Sequence, residues 1–350
     1  MTRIRVLHVI PSLSNGGAER VAVTVARHQS QHFEVHLVTW LVDSDYPPIP
    51  GIIHHRIPFR GKGIQKFIWL IIGLQHIIKN NPPDALISHL GYTNLITNLA
   101  SRITRMSGNV WSVHHSTAFQ ESRLETYLVE KIYKKSKVVA VSQDVEVFLR
   151  KRGVENVKMI SNPLRLPESS KSLPRWIEPQ ILRIVAVGRI VPEKNYALMI
   201  AAMQEMRVPF ILEIFGSGEP DGYKNALDQL PPFGNIVFMG NVSANEIYKA
   251  LASAHVFLMT SDVEGEPSSL LEAAAIGLPV VGRDTPGLGA AVVKVGGYLP
   301  AISDNPKSIA DAVLEAAKAG KNKKTASAWT RIHDVELASH LYCELLTISK

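Results

Sequence analysis

Short apolar runs alternate along the whole chain with longer segments whose apolar residues recur every three or four positions. The short runs are rich in β-branched and aliphatic residues and nearly continuous, which is typical of strands covered on both faces of a parallel sheet. The longer segments indicate amphipathic helices. Strand followed by helix, many times over, predicts right-handed crossovers and a doubly wound α/β sheet.

The pattern predicts the following elements in the two halves of the chain. In the first half we expect strands over 4–10, 34–39, 85–88, 109–113 and 138–142, and helices over 18–29, 64–79, 93–106, 124–134 and 143–152. In the second half we expect strands over 184–187, 210–215, 236–239, 256–260, 279–282 and 297–299, and helices over 196–206, 222–229, 244–253, 267–276 and 306–319.

The alternation breaks over residues 162–180, which contain four prolines and three serines. This composition is typical of a linker. We therefore predict two Rossmann-like domains, 1–165 and 166–326, followed by a last helical segment, 327–350, whose packing partner the spacing leaves open. Two such domains would face each other across a cleft lined by the carboxyl ends of their strands, where α/β folds bind ligands.

Composition narrows the class of protein. With 350 residues, 46% hydrophobic and 20% charged, the chain is expected to be globular and is too long for one core. Its net charge of +7 favours an anionic partner such as a phosphorylated metabolite, an acidic lipid surface or nucleic acid. Because the basic residues are dispersed and no recognition motif appears, nucleic acid is the least favoured partner.

The location of the protein is predicted from what the sequence lacks. Cys343 is the only cysteine, which excludes an intrachain disulfide and a multi-cysteine metal site and favours a reducing compartment. No secretory signal opens the chain, and no apolar run approaches ~18 residues. We expect a cytoplasmic protein, with the inner face of the plasma membrane as a second possibility.

The apolar segment 67–74 raises that second possibility. It lies within a predicted helix and is flanked by Lys62, Lys66 and Lys79. The helix either packs on the sheet or lies on an anionic membrane surface through its aromatic and basic residues.

Two glycine-rich segments follow predicted strands. One contains Gly16 and Gly17 before the first helix, and the other contains Gly216 and Gly218. Either allows a close approach of the backbone to a ligand or simply a tight turn. The first is not G-x-G-x-x-G, so the dinucleotide fingerprint is absent.

The segment 188–195 carries two cations away from a predicted strand end. A guanidinium such as that of Arg189 can bind a phosphate with two parallel hydrogen bonds, and the ammonium of Lys194 adds a compact charge, so the pair suits a diphosphate. The alternative is a pair of solvated surface cations.

The segment 264–273 follows an apolar strand and begins a helix. Pro267 suits the first helical position. Glu264 would then lie in the loop before the helix, and Glu272 about five residues along it, so that the two carboxylates could bind hydroxyl groups at opposite ends of a ligand. Glu264 could equally be a helix cap.

These segments together resemble a known family. E-G-x-P-x-x-x-L-E-A at 264–273 is similar to the E-x7-E element of retaining GT-B glycosyltransferases of the family 4 type, also called glycosyl transferases group 1. The G-G-A-E loop at 16–19, G-R-x-x-x-E-K-N at 188–195, G-x-G at 216–218 and Gly240-Asn241-Val242 stand around it in the order of that family.

The resemblance implies roles for individual residues. Arg189 and Lys194 would hold the diphosphate of a nucleotide-sugar donor, Glu264 would contact its sugar, and Glu272 would bind its ribose. His114, at the end of the strand over 109–113, matches a family histidine that acts on the donor sugar; the neighbouring His115 is the weaker candidate. The catalytic set is therefore His114, Glu264, Arg189 and Lys194. The donor-binding set is Gly16, Gly17, Gly216, Gly218, Asn241, Val242, Gly265, Glu266, Pro267, Ser268, Ser269 and Glu272. The last helix of the family packs back on the first domain.

The sequence departs from the family at a few positions. Glu266 stands where an aromatic residue is common, and Ala290 stands where a glutamate is common in the glycine loop 284–290. Asp43-Ser44-Asp45 spells D-x-D, the metal motif of a different transferase architecture, and we interpret it as a chance match. No group of residues has metal-ligand spacing, so we expect no metal site and no cofactor other than the donor substrate.

The resemblance implies a metal-independent, retaining hexosyltransferase that moves a sugar from a nucleotide diphosphate-sugar to a glycan or lipid-linked acceptor of bacterial surface polysaccharide synthesis. Its first domain would bind the acceptor and its second the donor. Two alternatives stay open: another GT-B enzyme such as a sugar-nucleotide epimerase, and a nucleotide-sugar-binding protein that has lost catalysis.

Overall fold

The computed structural model describes residues 3–13, 16–41, 48–58, 62–106, 109–115, 134–164, 177, 180–320 and 334–347. The chain divides into two compact units, one formed by 1–163 with 333–350 and the other by 164–332. Three segments with sequence predictions lie outside the described residues. They are the D-x-D match at 43–45, residues 124–133 of the helix predicted over 124–134, and most of the linker.

The described part of the N-terminal unit contains a parallel sheet of seven strands in the order β3-β2-β1-β4-β5-β6-β7. The strands are β1 (Arg5–Val9), β2 (Glu34–Thr39), β3 (Ile52–Arg56), β4 (Ala85–His89), β5 (Val110–His114), β6 (Lys137–Ala140) and β7 (Asn156–Met159). The helices are α1 (Gly17–Gln29), α2 (Gly63–Asn80), α3 (Gly91–Ile103) and α4 (Gln143–Lys151). The central strands are buried on both faces, which explains why their sequences do not alternate.

Helix α11 (Val335–Thr347) packs in the N-terminal unit although it ends the chain. Its Tyr342 and Leu345 are buried in the core that contains the strand residue Val113. The side chain of Asn109 donates a hydrogen bond to the carbonyl oxygen of Leu346 at 3.0 Å. The end of the chain therefore completes the core of the unit in which the chain begins.

The C-terminal unit contains, in its described residues, a five-stranded parallel sheet in the order β10-β9-β8-β11-β12. The strands are β8 (Leu182–Val187), β9 (Phe210–Phe215), β10 (Gly234–Gly240), β11 (Val256–Met259) and β12 (Val280–Gly282). The helices are α5 (Tyr196–Gln204), α6 (Lys224–Leu227), α7 (Ala244–Ser253), α8 (Ser268–Ala275), α9 (Leu288–Lys294) and α10 (Pro306–Ala319). The prediction of two parallel α/β domains is confirmed.

Several element predictions were wrong in detail. Strands β3 and β7 were missed because they lie at the sheet edges, where half-exposed residues dilute the apolar signal. Helix α9 was missed because its start is rich in glycine. Segment 297–299 makes a single bridge, between Tyr298 and Val281. The helix predicted over 222–229 is reduced to a 3-10 turn followed by the short α6.

Pro267 is not the first helical residue, as its type had suggested. It is the N-cap of α8, with φ −71° and ψ 92°. Its carbonyl oxygen accepts the first helical hydrogen bond, from the amide of Leu271 at 3.1 Å. Helix α8 therefore begins at Ser268.

Candidate functional site

The predicted site residues of the C-terminal unit lie in the loops at the carboxyl ends of its strands. The strand order reverses between β8 and β11, because β9 and β10 lie on one side of β8 and β11 and β12 on the other. Such a switch point leaves a crevice at the carboxyl ends of the two central strands. Lys194 follows β8 and Glu264 follows β11, so both lie at this point.

Lys194 and Glu264 form an ion pair, the Lys194 Nζ donating to Glu264 Oε1. The two side chains are largely buried, at 22% and 11% exposure. The carboxylate also lies near Tyr196, whose hydroxyl donates to the carbonyl oxygen of Gly188 at 2.8 Å. Burial, with the charge of Glu264 as a second cause, raises the pKa of Tyr196. The structure thus brings together a cation and a carboxylate that are 70 residues apart in the chain.

A hydrogen-bonded network holds the backbone of Lys194 in place. The hydroxyl of Thr260 lies 3.1 Å from the carbonyl oxygen of Lys194 and 3.0 Å from that of Asn195. Asn195 has a φ of 49°, in the left-handed region that asparagine tolerates, and its side chain donates to Asp262 at 3.0 Å. The ammonium of Lys194 therefore projects from a loop that is fixed by hydrogen bonds to both Thr260 and Asp262.

The buried guanidinium of Arg283 closes this network. It donates to Asp262, to Asp304 and, at 2.9 Å, to the carbonyl oxygen of Thr260. The hydrogen bond from Arg283 holds the pKa of Asp262 below its usual range. Sequence reasoning missed this residue, although a single arginine directly after the apolar strand β12 was a usable signal.

Arg189 has different surroundings from Lys194. Its side chain is exposed, and no described residue forms an ion pair with it. The predicted pair of cations thus consists of one fixed ammonium and one guanidinium that is open to an anion.

Gly216 and Gly218 bring two strand-end loops into contact. A Cβ at Gly216 would lie 2.0 Å from the carbonyl oxygen of Gly188, and one at Gly218 would lie 2.5 Å from that of Ile190. The amide of Ile190 donates to the carbonyl oxygen of Ser217 at 2.7 Å. Both positions therefore require glycine for a structural reason: the absence of a side chain lets the loop after β9 pack against the loop that carries Arg189.

The loop of Glu264 rests on the glycine loop before α9. The amide of Glu264 donates to the carbonyl oxygen of Pro286 at 3.0 Å. Gly287 has a φ of 76°, and a Cβ there would lie 1.9 Å from the carbonyl oxygen of Glu264. Only glycine fits this contact, so the loop 284–290 positions Glu264 even though Ala290 replaces the family glutamate.

The remaining residues of the 264–273 motif differ in accessibility. Glu272 is buried at 3% exposure, 3.5 Å from the hydroxyl of Tyr248. Ser269 is also buried, and its hydroxyl donates to the carbonyl oxygen of Val187 at 3.0 Å, which ties α8 to β8. Gly265 and Pro267 are buried as well, while Glu266 and Ser268 are half-buried.

Asn241 and Val242 follow the end of β10 and diverge in their surroundings. Asn241 is exposed, whereas Val242 packs on the apolar core beneath α7 and α8. The carbonyl oxygen of Gly240 accepts from the amide of Gly216 at 2.9 Å, which places this turn beside the glycine-rich loop.

In the N-terminal unit, Gly16 is the N-cap of α1 and Gly17 its exposed first residue. The carboxylate of Glu19 folds back against Gly16, where a Cβ would lie 2.1 Å from Glu19 Oε2. The hydroxyl of Ser12 donates to the other carboxylate oxygen at 3.3 Å. A phosphate bound at this end of the helix would therefore share it with Glu19.

His114 and His115 point to opposite faces of the N-terminal sheet. His114 ends β5 on the same face as Ser112, which accepts a hydrogen bond from Asn98 of α3 at 2.9 Å. It is buried at 4% exposure, and burial lowers its pKa to about 4. His115 contacts His89 instead, with 3.3 Å between ring nitrogens.

Two features of the described residues bear on ligands and membranes. They contain no group of three or more His, Cys, Asp or Glu side chains that could hold a metal ion. None of the helices in this part of the chain is long and apolar enough to cross a bilayer.

Two family models match consecutive parts of the chain. The model described as Glycosyltransferase Family 4 matches residues 15–166, and the one described as Glycosyl transferases group 1 matches residues 178–331. The protein is a GT-B glycosyltransferase.

Relatives of this glycosyltransferase include enzymes of bacterial polysaccharide and glycan synthesis. It is 24% identical over 308 residues to the amylovoran biosynthesis glycosyltransferase AmsD of Erwinia amylovora, covering 84% of this chain and 85% of the relative. It is 26% identical over 296 residues to an N-acetylgalactosamine-N,N'-diacetylbacillosaminyl-diphospho-undecaprenol 4-alpha-N-acetylgalactosaminyltransferase of Campylobacter jejuni, covering 79% of each chain.

A solved structure shares its fold. Anabaena HepE, in a complex with UDP and glucose, matches with a TM-score of 0.76 at 16% identity, covering 98% of this chain and 99% of that one. The predicted glycosyltransferase activity and the GT-B fold are confirmed.

Proposed function

We propose that this enzyme is a retaining, metal-independent hexosyltransferase that uses a nucleotide diphosphate-sugar, with Arg189 and Lys194 receiving the negative charge of the departing diphosphate. The observation that carries the proposal is the ion pair of Lys194 with Glu264 at the switch point of the C-terminal sheet. The ammonium of Lys194 suits the diphosphate, and the carboxylate of Glu264 suits a hydroxyl group of the sugar. The ion pair therefore supports placing the diphosphate and the sugar side by side.

The bond that breaks joins the anomeric carbon to the diphosphate, the bond that forms joins that carbon to an acceptor hydroxyl oxygen, and the proton of that hydroxyl leaves with the diphosphate. Preorganised cations stabilise charge that develops in the transition state without reorganising during the reaction. The network of Thr260, Asn195, Asp262 and Arg283 supports this assignment because it holds the backbone of Lys194 fixed. Exposed Arg189 would add a second set of donors to the same phosphates.

The donor would occupy the C-terminal unit. Glu264 would bind a hydroxyl of the sugar, and buried Glu272 would bind the ribose hydroxyls from its position on α8. In this proposal the loops of Gly216 and Asn241 lie near the base. The presence of UDP and glucose in the HepE structure supports a nucleotide-sugar donor of this class.

The acceptor would bind to the N-terminal unit, with His114 near the reacting sugar. The name of the Campylobacter relative contains a diphospho-undecaprenol and an alpha linkage. The diphospho-undecaprenol supports a lipid-linked intermediate as the acceptor, and the alpha linkage supports retention for a donor whose diphosphate is itself alpha-linked.

Helix α2 supports access to such an acceptor at a membrane. Leu70, Leu74 and Ile78 are buried in the sheet core, so the helix does pack on the sheet. The opposite side exposes four apolar residues, at 49–69% exposure: Ile64, Ile68, Trp69 and Ile72. We propose that this side, flanked by Lys62 and Lys79, rests on an anionic bilayer while the enzyme remains cytoplasmic.

The experiment that tests the function combines donor screening with product analysis. Thermal-shift measurements with UDP-, GDP- and ADP-sugars should identify one donor that raises the melting temperature, because a ligand bound only by the folded state stabilises it. With that donor, transfer to undecaprenyl-diphosphate-linked sugars should give a product of unchanged anomeric configuration by NMR. Donor binding without transfer to any acceptor would instead favour a protein that has lost catalysis.

Metal independence is tested in the same reaction. Because the two cations would neutralise the diphosphate, EDTA should leave turnover largely unchanged. A strict requirement for Mg²⁺ or Mn²⁺ would contradict this part of the proposal.

A further inference from the structure

Three histidines cross the switch point of the N-terminal sheet, where the strand order reverses between β1 and β4. His8 lies in β1, His89 ends β4 and His115 follows β5. His8 is paired in register with Ile87, two residues before His89, and His89 is paired with Val113, two residues before His115. Because side chains two residues apart share a face, the three rings step diagonally along one face toward the carboxyl edge.

The rings are connected by their nitrogens. His8 Nε2 lies 2.7 Å from the side-chain oxygen of Gln29, His8 Nδ1 lies 3.5 Å from His89 Nε2, and His89 Nδ1 lies 3.3 Å from His115 Nε2. The rings of each pair are nearly parallel, at 15° and 29°, with centroids 5.8 and 5.6 Å apart. Gln29, the last residue of α1, is fully buried, as are His8 and His89.

The chemistry of Gln29 gives this chain of rings a direction. In the structure the amide oxygen of Gln29 faces His8 Nε2, and because an amide oxygen only accepts hydrogen bonds, His8 carries its proton on Nε2. Its Nδ1 then accepts from His89 Nε2, and His89 Nδ1 accepts from His115 Nε2. His115 is left with a lone pair on Nδ1, and no described residue bonds that nitrogen.

Burial favours the uncharged form of each ring. It lowers the pKa of His8 to about 4 and that of His115 to about 3, and it holds the pKa of His89 well below its ordinary value. In the partly exposed His115, an uncharged nitrogen with a lone pair suits a ligand that donates a proton, such as a hydroxyl group. It does not suit a carboxylate or a phosphodiester, neither of which has a proton to donate near neutral pH.

We propose that Gln29, His8 and His89 form a hydrogen-bonded relay that orients His115, whose Nδ1 accepts a hydrogen bond from a hydroxyl group of the sugar acceptor. This inference rests on the proposed function, in which the N-terminal unit binds the acceptor. His115 is then a specificity residue at the carboxyl edge of the sheet, and Gln29, His8 and His89 are positioning residues. The sequence pattern favours His114 over His115 and does not single out His8 or His89.

The relay is tested first by the tautomers of the rings. In full-length protein with ¹⁵N-labelled histidine, long-range ¹H–¹⁵N spectra should show His8, His89 and His115 each protonated at Nε2. In a Gln29→Leu variant, which removes the terminal acceptor, His115 should become a mixture of tautomers. The matched control is His55→Gln, which breaks a histidine pair of 2.8 Å on the neighbouring strands β2 and β3 and should leave His115 unchanged.

The hydroxyl ligand is tested with octyl glucoside, a sugar joined to an alkyl chain. Its titration should move the Nδ1 resonance of His115 in the wild type and in His55→Gln. In transfer assays, Gln29→Leu and His115→Phe should raise the acceptor KM about tenfold with the donor KM unchanged, as expected for one lost hydrogen bond. His115→Asn, whose amide oxygen can replace Nδ1, should retain the wild-type value.

The outcomes separate the relay from the proposed function. A proton on Nδ1 of His115, or an octyl glucoside titration that leaves its resonance unmoved, would overturn the relay. An unchanged acceptor KM in Gln29→Leu would do the same. Correct tautomers and a response to octyl glucoside, without transfer of any sugar, would support the relay and count against the proposed function alone.

Discussion

Lys194 and Arg189 follow the same strand but have different surroundings. Lys194 is largely buried and paired with Glu264, whereas Arg189 is exposed. Before a diphosphate binds, the ammonium is therefore already desolvated and oriented. We expect it to contribute more to the stability of the transition state than a mobile surface lysine would.

Replacing either cation should slow the reaction without unfolding the protein. We expect Lys194→Ala and Arg189→Ala each to lower turnover by about 10²-fold or more, because each removes a donor to the departing charge. Steady-state kinetics with a donor at saturation measures this loss. Lys249→Ala, which removes an exposed lysine of α7, is the control and should keep wild-type turnover. Near-wild-type turnover in both site variants would remove the diphosphate assignment.

At the scale of single residues, the sequence indicated which kinds of side chain occupy the site but not which residues they contact. The strand-end positions of Arg189, Lys194 and Glu264 follow from a local pattern, an apolar run followed by polar residues. The role of Arg283 could not be predicted, because its partners Asp262 and Asp304 meet it only when β11, β12 and the loop before α10 lie together.

At the scale of elements, loops are placed by contacts with other loops. The loop 284–290 carries Glu264 through Gly287, and the loop after β9 supports the one after β8 through Gly216. The sequence predicted Gly216 as a turn or a ligand contact and placed Gly287 in a loop that resembles the glycine loop of the family. The structure gives both a packing reason, since the neighbouring carbonyl oxygens leave no space for a side chain.

The contact at Gly287 predicts a change in both stability and activity. Gly287→Ala should lower the free energy of unfolding by about 1–3 kcal/mol, because it combines an unfavourable φ with a clash against the backbone of Glu264. Chemical denaturation measures the stability, and donor titration should show weaker binding as Glu264 is displaced. Gly222→Ala, where a Cβ would meet no atom within 4 Å, is the matched control and should change neither quantity. Equal stability of the two variants would contradict the packing argument.

Helix α2 shows how one element can satisfy two sequence interpretations. Its buried side packs on the sheet, and its opposite side exposes apolar residues between lysines. The sequence alone left these interpretations as alternatives, because the segment is apolar nearly all round and its periodicity is weak.

Liposome sedimentation tests the exposed side. The wild type should sediment with anionic vesicles at low salt and less at high salt, because the Debye length shortens. Ile68→Ser combined with Ile72→Ser should reduce sedimentation several-fold, since it removes apolar area from the exposed side. Ile103→Ser, which replaces a still more exposed isoleucine at the end of α3, should bind as the wild type does. If the protein sedimented to the same extent with anionic and with uncharged vesicles, membrane binding through this helix would be refuted.

At the scale of the whole molecule, the N-terminal unit stores several uncharged histidines. His8 and His114 are buried in opposite faces of its sheet, and burial lowers the pKa of both from 6.5 to about 4. In the unfolded chain these rings take up protons near their ordinary value. Between about pH 6.5 and 4 the unfolded state therefore binds more protons than the folded one, and stability falls as pH falls.

The free energy of unfolding of the N-terminal unit should therefore decrease as the pH falls. Each such histidine should lower the free energy of unfolding by about 1.4 kcal/mol per pH unit as the pH falls through that range. Hydrogen exchange of peptides from the N-terminal unit measures it. His8→Gln should flatten the slope, while His76→Gln, on the exposed side of α2, should not. A slope of the opposite sign would contradict the assignment of buried, uncharged rings.

By itself, the sequence determined most of the strands and helices and their order, the division into two α/β domains, and the loops in which chemistry would be found. These properties depend on the local periodicity of apolar residues and on turn residues. Both signals come from residues that lie close together in the chain. The tertiary structure decided which of those residues meet: Lys194 with Glu264, Asp262 with Arg283, and the three histidines with Gln29. Such contacts depend on strand order and register, which join residues far apart in the chain and leave no local trace.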